Sequence, residues 1–248
     1  MESLARGLSV IRAFGAGRGA LSGADVAAIT GLSRAAARRC LHTLASLGYA
    51  RVQDGVYELT PAVLALAQAY LGSSSLASLA QPVLDRVSEQ IQEASGVAVL
   101  DDDEVVFLAR ASARRILSVA VSIGTRLPAA STASGRVLIA FGDAAAMARY
   151  VARVKLPRLT PRTIVDRKAL RAELDRIRAA GYAIVDQELE LGLRSMAVPI
   201  RWPDGGTAAA LNVGVQAGRI DTRTLQRDIL PVLQHAAAEI AVAIRGAR

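Results

Sequence analysis

The feature that most constrains this chain is an Asp54-Gly55 pair set between two alternating runs, Tyr49 to Gln53 and Val56 to Leu59. Asp-Gly tolerates the positive φ angles of a tight turn, so the pattern closes a two-residue β-hairpin. Three helical patterns precede it. Leu4, Leu8, Ile11 and Phe14 recur at helical spacing, with Ser3 as N-cap and Gly15 as stop. Ser22 opens a second helix with Val26, Ala27 and Ile29 inward. Gly31-Leu32 turns the chain, Ser33 caps a third helix running to Leu47, and Gly48 supplies its left-handed stop. Ala37, Cys40, Leu41, Leu44 and Leu47 make the apolar stripe of that third helix. Helix, short helix, turn, helix and hairpin, in that order, predict a winged helix-turn-helix.

Charge placement bears on what such a domain would bind. From Ser33 to Val52 there are four arginines, at 34, 38, 39 and 51, and no acid. Arg34, Ala35, Ala36 and Arg38 fall off the apolar stripe near the helix N-terminus, where a recognition helix meets base edges. The two alanines keep that face slim and suit thymine methyls. Ser33 and the first free N–H groups suit a phosphate, and Arg51 on the wing suits the backbone or minor groove. The competing explanation is a solvated arginine face, and for Arg39 an ion pair within the domain. The coincidence of helix, wing and acid-free stretch favours double-stranded DNA. Cys40 reads as a small buried hydrophobe.

Whole-chain charge says less. Thirty basic residues against twenty-two acidic ones give +8, yet residues 1–71 hold only seven arginines against four acids. Most of the excess lies outside the hairpin-bearing domain and reads as compositional bias. Cys40 is the only cysteine, and His42 and His235 are the only histidines. That excludes a disulfide framework and a Cys-rich zinc site, and leaves no basis for a metal or another cofactor. No apolar run approaches the ~18 residues of a membrane span, so no membrane partner is expected. Met1 to Gly7 lacks a secretory pattern, so a cytoplasmic location is expected.

Beyond the hairpin, Pro61 to Leu71 predicts a short helix with Leu64, Leu66, Ala67 and Tyr70 apolar, broken by Gly72-Ser73-Ser74-Ser75. The expected domains are 1–60, a linker over 61–75, and 76–248. A long helix follows from Leu76 to Glu93, with Leu79, Val83, Leu84, Val87 and Ile91 inward. Strands are expected at Gly96–Leu100 and Val105–Arg110, joined by the acidic turn Asp101 to Glu104, and at Ile116–Val121. A helix opens at Ser131 to Gly135, and another runs from an Asp166 cap to Gly181. Strands at Tyr182–Gln187, Met196–Ile200 and Thr207–Val215 precede a final amphipathic helix, Thr222 to Arg245. The second domain is therefore α+β, built on an antiparallel sheet.

Its polar residues suggest a site for an acidic ligand. Ser131, Thr132, Ala133, Ser134 and Gly135 open a helix after a Pro loop, offering N–H groups and hydroxyls to a carboxylate. Asp186, Glu188 and Glu190 alternate beyond a strand end, Arg194 and Ser195 add donors, and Asn212 interrupts an apolar strand. Each is also explained by capping, surface pairing or a satisfied amide, and Arg194 has Glu190 four residues earlier as a possible partner. No catalytic residue is assigned. The rival functions are acid–base catalysis at Asp186, Glu188 or Glu190, and an architectural DNA-binding protein with an empty second domain.

Ser3-Leu4-Ala5-Arg6-Gly7-Leu8, Leu32-Ser33 through Gly48-Tyr49, Gly124 to Gly135, and Gly181 through Ile200 together resemble the isocitrate-lyase-regulator (IclR) family of bacterial transcription factors. The resemblance implies a winged DNA-binding domain, a helical linker that dimerises, and a GAF-like effector domain. It implies a homodimer or dimer of dimers on a pseudo-palindromic operator, with half-sites ~34 Å apart or a multiple. RNA polymerase becomes a partner if the protein activates. Asp186 through Ser195 and the opening Ser3 to Leu8 are most similar to the subgroup governing aromatic-acid catabolism, whose effectors include protocatechuate, 4-hydroxybenzoate and β-ketoadipate. The alternative is a regulator of a glyoxylate or sugar-acid pathway.

Overall fold

A computed structural model describes residues 2–15, 18–73, 75–112, 121–202 and 205–246. The chain forms two compact units, Met1–Ser73 and Ser74–Arg248.

In the first unit, α1 (Glu2–Ala13), α2 (Gly23–Thr30) and α3 (Arg34–Ser46) pack with a three-stranded sheet of β1 (Leu21–Ser22), β2 (Ala50–Gln53) and β3 (Val56–Leu59). The core collects Val10, Ala13, Phe14, Val26, Ala37, Leu41 and Leu44. Ser22 caps α2 through a capping box with Asp25, and Gly31 ends it in the left-handed region. A Schellman pattern closes α3: Tyr49 N–H reaches Leu44 O and Gly48 N–H reaches Ala45 O, with Gly48 at φ 79°. Asp54 and Gly55 both take positive φ, which gives the wing its tight turn.

Several expected core positions face out instead. Leu4 and Leu8 are exposed, and α1 buries only Val10 and Ala13 in its second half. Ser3 lies inside α1 rather than capping it. Ile29 and Leu47 are also exposed. After a 3-10 turn at Pro61–Val63, α4 (Leu64–Ser73) leaves Leu64, Leu66 and Tyr70 exposed. Gly72 and Ser73 belong to its last turn, so the expected break is narrower than its composition suggested.

The second unit opens with α5 (Ser75–Ile91) and contains a six-stranded antiparallel sheet. The strands are β4 (Ala94–Asp101), β5 (Glu104–Ala111), β6 (Arg126–Pro128), β7 (Ala183–Asp186), β8 (Leu193–Arg201) and β9 (Thr207–Gln216), in the spatial order β6-β5-β4-β9-β8-β7. The expected Ile116–Val121 strand falls outside the described residues except for Val121.

Strand alternation divides the sheet between two cores. Val97, Met196, Val198, Leu211 and Val213 face α5 and α10 (Leu230–Gly246). Ala98, Ala197 and Ala210 face α6 (Ala133–Ala140) and α8 (Arg167–Ala180). Those alanines let α6 lie close enough that all its eight residues are buried. A helix absent from the sequence expectation, α7 (Ala144–Arg153), is capped by Asp143 and buries Met147 and Tyr150. Asp166 caps α8 and Gly181 ends it, with Leu170, Leu174 and Ile177 inward as the spacing predicts.

The acidic turn is tied down by arginines: Arg126 meets Asp101 and Glu104, and Arg153 meets Asp102 and Asp103. The closing helical run, Thr222–Gly246, widens to a π-helix at Leu225–Ile229, since Pro231 has no N–H to give to the preceding turn. This run is long and apolar enough, by length and composition, to cross a bilayer, which the sequence reading had not found. Its Leu233, Ala236, Ala237, Ile240 and Ile244 are buried in the sheet core, so its apolarity is explained by packing.

Candidate nucleic-acid interface and ligand cavity

The first candidate site is the outer face of α3. Ser33 is extended, and its Oγ accepts the Ala36 N–H at 3.2 Å, which fixes the start of the helix. Arg34, Ala35, Arg38 and Arg39 are exposed beyond it. Ala36 is not: it is 6% exposed and packs inward, which removes it from any base-edge contact. The arginines also divide. Arg39 lines a crevice toward Ser3, Arg6 and Gly7 of α1, beside Cys40 and Thr43. Cys40 is correspondingly half-buried rather than sealed in the core. Among the described residues, none of Arg34, Arg38 and Arg39 has a carboxylate partner. Arg51 does. Its Nε donates to Glu58 Oε2 at 2.8 Å, directly across the hairpin register. Glu58 lies beyond the acid-free 33–52 stretch, so the linear charge pattern does not show this neutralising partner. His42, exposed one turn beyond Arg38 at i, i+4 spacing, extends the same outer face.

The second candidate site is a cavity on the α6 side of the sheet, with a volume of about 50 Å³. Thr132, Ala133 and Ser134 form one wall at the N-terminus of α6. Phe107, Val121, Leu127, Leu189 and Leu193 make it apolar, and Ser195, Asn212 and Arg110 bring polar groups to it. Thr132, Ala133, Ser134, Ser195 and Asn212 are thus brought together. Ser131, Gly135, Asp186, Glu190 and Arg194 are absent from the lining.

Each absence has a physical reason. Gly135 gives its N–H to the Thr132 cap, and its Cα is pressed so tightly on the Ala129 backbone that a Cβ would lie 2.2 Å from Ala129 O. Ser131 is buried in the 3-10 turn before α6. Residues 187–192 are not helical, so Glu190 and Arg194 never acquire the i, i+4 geometry. Arg194 instead lies opposite Asp186 in the β7–β8 ladder and binds its Oδ1 at 2.8 Å. The Arg194 guanidinium also holds the Ala217 and Ile220 carbonyls, while Asp186 takes a second arginine, Arg162, at 2.6 Å. Glu188 is consumed by a buried, bidentate pair with Arg136, both bonds 2.6 Å. These groups hold the fold around the cavity.

Arg110 is the residue that sequence reasoning missed. It sits on β5 among apolar neighbours, and loss of surrounding water pulls its guanidinium below the ordinary arginine value. Among the described residues it has no carboxylate partner. The ladder shows how it reaches the cavity: Gly96 of β4 is paired with Arg110 on one side and Asn212 on the other. Directly opposed residues share a sheet face, so Arg110, Gly96 and Asn212 form one row across three strands. The Phe107 ring and the Asn212 amide pack over Gly96 in the middle of that row. A Cβ on this glycine would lie 3.1 Å from both Asn212 Oδ1 and the Phe107 ring. Asn212 Oδ1 is buried with no hydrogen-bond donor.

A winged helix-turn-helix with an arginine-bearing recognition face, followed by a sheet domain enclosing a small cavity, defines a ligand-responsive transcriptional regulator. Comparison with known proteins gives the family. Residues 3–54 match the IclR helix-turn-helix domain and residues 68–242 match the bacterial transcriptional regulator IclR C-terminal domain. The chain belongs to the IclR family, whose members regulate transcription rather than catalyse reactions. It is 46% identical to the Pca regulon regulatory protein of Pseudomonas putida, over 97% of this chain and 83% of that one. It is 37% identical to the p-hydroxybenzoate hydroxylase transcriptional activator of Acinetobacter baylyi, over 97% and 90%. Among solved structures, an IclR homolog from Microbacterium hydrocarbonoxydans, complexed with 4-hydroxybenzoate, superposes with a TM-score of 0.83 at 28% identity, over 98% of this chain and 99% of that one.

Proposed function

We propose that this protein regulates an operon of aromatic-acid catabolism and that its effector is a small aromatic or related carboxylic acid, such as 4-hydroxybenzoate, protocatechuate or β-ketoadipate, held in the cavity beside Arg110. The observation that carries this reading is half-buried Arg110, without a carboxylate partner among the described residues, facing a mostly apolar cavity. A desolvated guanidinium without a carboxylate is a receptor for one, and the planar fork suits a bidentate contact. The names of the Pca and p-hydroxybenzoate regulators and the 4-hydroxybenzoate complex support the choice of acid.

The cavity volume of about 50 Å³ is well below the ~150 Å³ of an apolar cavity that admits benzene, so a ring enters only by moving the walls. Leu189 lies in the 187–192 turn and Leu193 follows it, and their displacement gives the ligand the differential affinity between two conformations that a switch requires. On the DNA side, Arg34, Arg38 and Ala35 read the operator, with Ser33 positioned for a phosphate. Arg39 and Arg51 serve as backbone contacts at most. The exposed Leu64, Leu66 and Tyr70 of the 61–75 linker favour a homodimer, or a dimer of such dimers, on a pseudo-palindrome.

The test is titration of the full-length protein onto a fluorescent fragment of its own promoter, with and without 4-hydroxybenzoate, protocatechuate and β-ketoadipate. The reading requires salt-dependent DNA binding and a change in affinity or footprint with at least one acid. DNA binding indifferent to all three acids, with no thermal stabilisation by any of them, would remove the aromatic-acid assignment.

A further inference from the structure

We infer that Asn212 selects ligands carrying a hydroxyl group, with its Oδ1 accepting the hydroxyl hydrogen while Arg110 holds the carboxylate. This rests on the cavity being the acid-binding site proposed above. Asn212 Oδ1 is buried without a donor, an arrangement that is unfavourable until a donor arrives. Neighbouring side chains do not supply one, although Ser195 and Ser134 carry hydroxyls on the same cavity. Arg110 and Asn212 stand on either side of Gly96 in a single cross-strand row, two strand spacings of ~4.8 Å apart at the backbone. The Phe107 ring covers Gly96 between them and forms part of the cavity wall. An aromatic acid stacked on that ring meets a cation at one end and an unfilled acceptor at the other.

The chemistry that fits is a monoanionic hydroxylated aromatic acid. Unsubstituted benzoate would satisfy Arg110 and leave the amide oxygen sealed from water without a partner. A site built around such an acceptor rejects the analogue lacking the hydroxyl more strongly than a greasy pocket rejects a missing methylene.

The experiment is calorimetric titration of the full-length protein with 4-hydroxybenzoate and with benzoate, repeated on Asn212→Leu and Asn212→Ala. In the wild type, benzoate is expected to bind on the order of 10- to 100-fold more weakly than 4-hydroxybenzoate. In Asn212→Leu that ratio is expected to fall to about one, because the unpaired acceptor is gone while the branched shape is kept. Asn212→Ala gives the same answer if the leucine variant does not fold. Equal wild-type affinities would overturn the role of Asn212 and leave the acid-binding cavity standing. A ratio that persists in the folded variants would do the same. Binding of neither acid would overturn both this inference and the aromatic-acid reading beneath it.

Discussion

The Arg136 guanidinium and the Glu188 carboxylate meet through two parallel hydrogen bonds of 2.6 Å in a place that leaves Arg136 1% and Glu188 7% exposed. Further hydrogen bonds anchor both partners. Arg136 Nε donates to Ala130 O at 2.8 Å, and Glu188 Oε2 accepts the Ile164 N–H at 2.8 Å. Arg136 belongs to α6, whose first residues wall the cavity, and Glu188 precedes Leu189, which lines it. The ion pair therefore fixes two cavity walls against each other.

Removing one partner is expected to leave the other charged and buried. Glu188→Ala should destabilise the second unit by about 3–5 kcal/mol, whereas the double replacement Arg136→Met with Glu188→Leu should recover most of that loss. Guanidinium denaturation of the single and double variants measures both values. Recovery by the double variant distinguishes a stranded charge from simple loss of packing.

Arg110→Gln should act in the opposite way on binding and stability. It removes a desolvated cation that has no carboxylate partner among the described residues, so the melting temperature should hold or rise slightly. Affinity for a carboxylic effector should fall by about 10- to 100-fold, the scale of a lost charge-assisted contact. Thermal melts with and without 4-hydroxybenzoate check both halves.

Gly135→Ala should be among the most damaging small substitutions in the chain. The added methyl would sit 2.2 Å from Ala129 O and 2.3 Å from Ala129 Cα, and backbone cannot rotate away as a side chain can. Overpacking of this kind costs about 1–3 kcal/mol or more, and it displaces the segment that presents Thr132 to Ser134 to the cavity. A lowered unfolding midpoint together with weakened effector binding is the expected result.

On the DNA side, Arg34→Ala with Arg38→Ala should abolish specific operator binding and reduce the slope of log K against log salt by about 2. Arg51→Ala should have a smaller effect, because that guanidinium already has Glu58 as its partner. Fluorescence anisotropy across a salt series separates the two. Equal losses from the two changes would show that the wing contributes as much as the helix.

The local rules read well from sequence wherever a feature depends on neighbours in the chain. Ser22, Ser33 and Asp166 cap helices as expected, Gly31, Gly48 and Gly181 stop them, and Asp54-Gly55 makes the wing turn. Periodicity failed in α1. Leu4 and Leu8 have the correct spacing for a buried face, but α1 buries Val10 and Ala13, and Ser3 and Gly7 only border a crevice against α3.

At the site, the sequence alone determined that a helix N-terminus at Thr132 to Ser134 and a polar Asn212 in an apolar strand were available, and that four arginines follow Ser33 without an intervening acid. The tertiary structure decided which of these groups are free to bind. Cross-strand register put Glu58 on Arg51 and Asp186 on Arg194, and the packing of α6 buried Glu188 against Arg136 across 52 residues of chain. The same register brought Arg110, Gly96 and Asn212 into one row, although nothing in their linear separation links them. A charge seeks its nearest opposite in space, and in an antiparallel sheet that neighbour is set by strand order, which short-range sequence patterns do not encode.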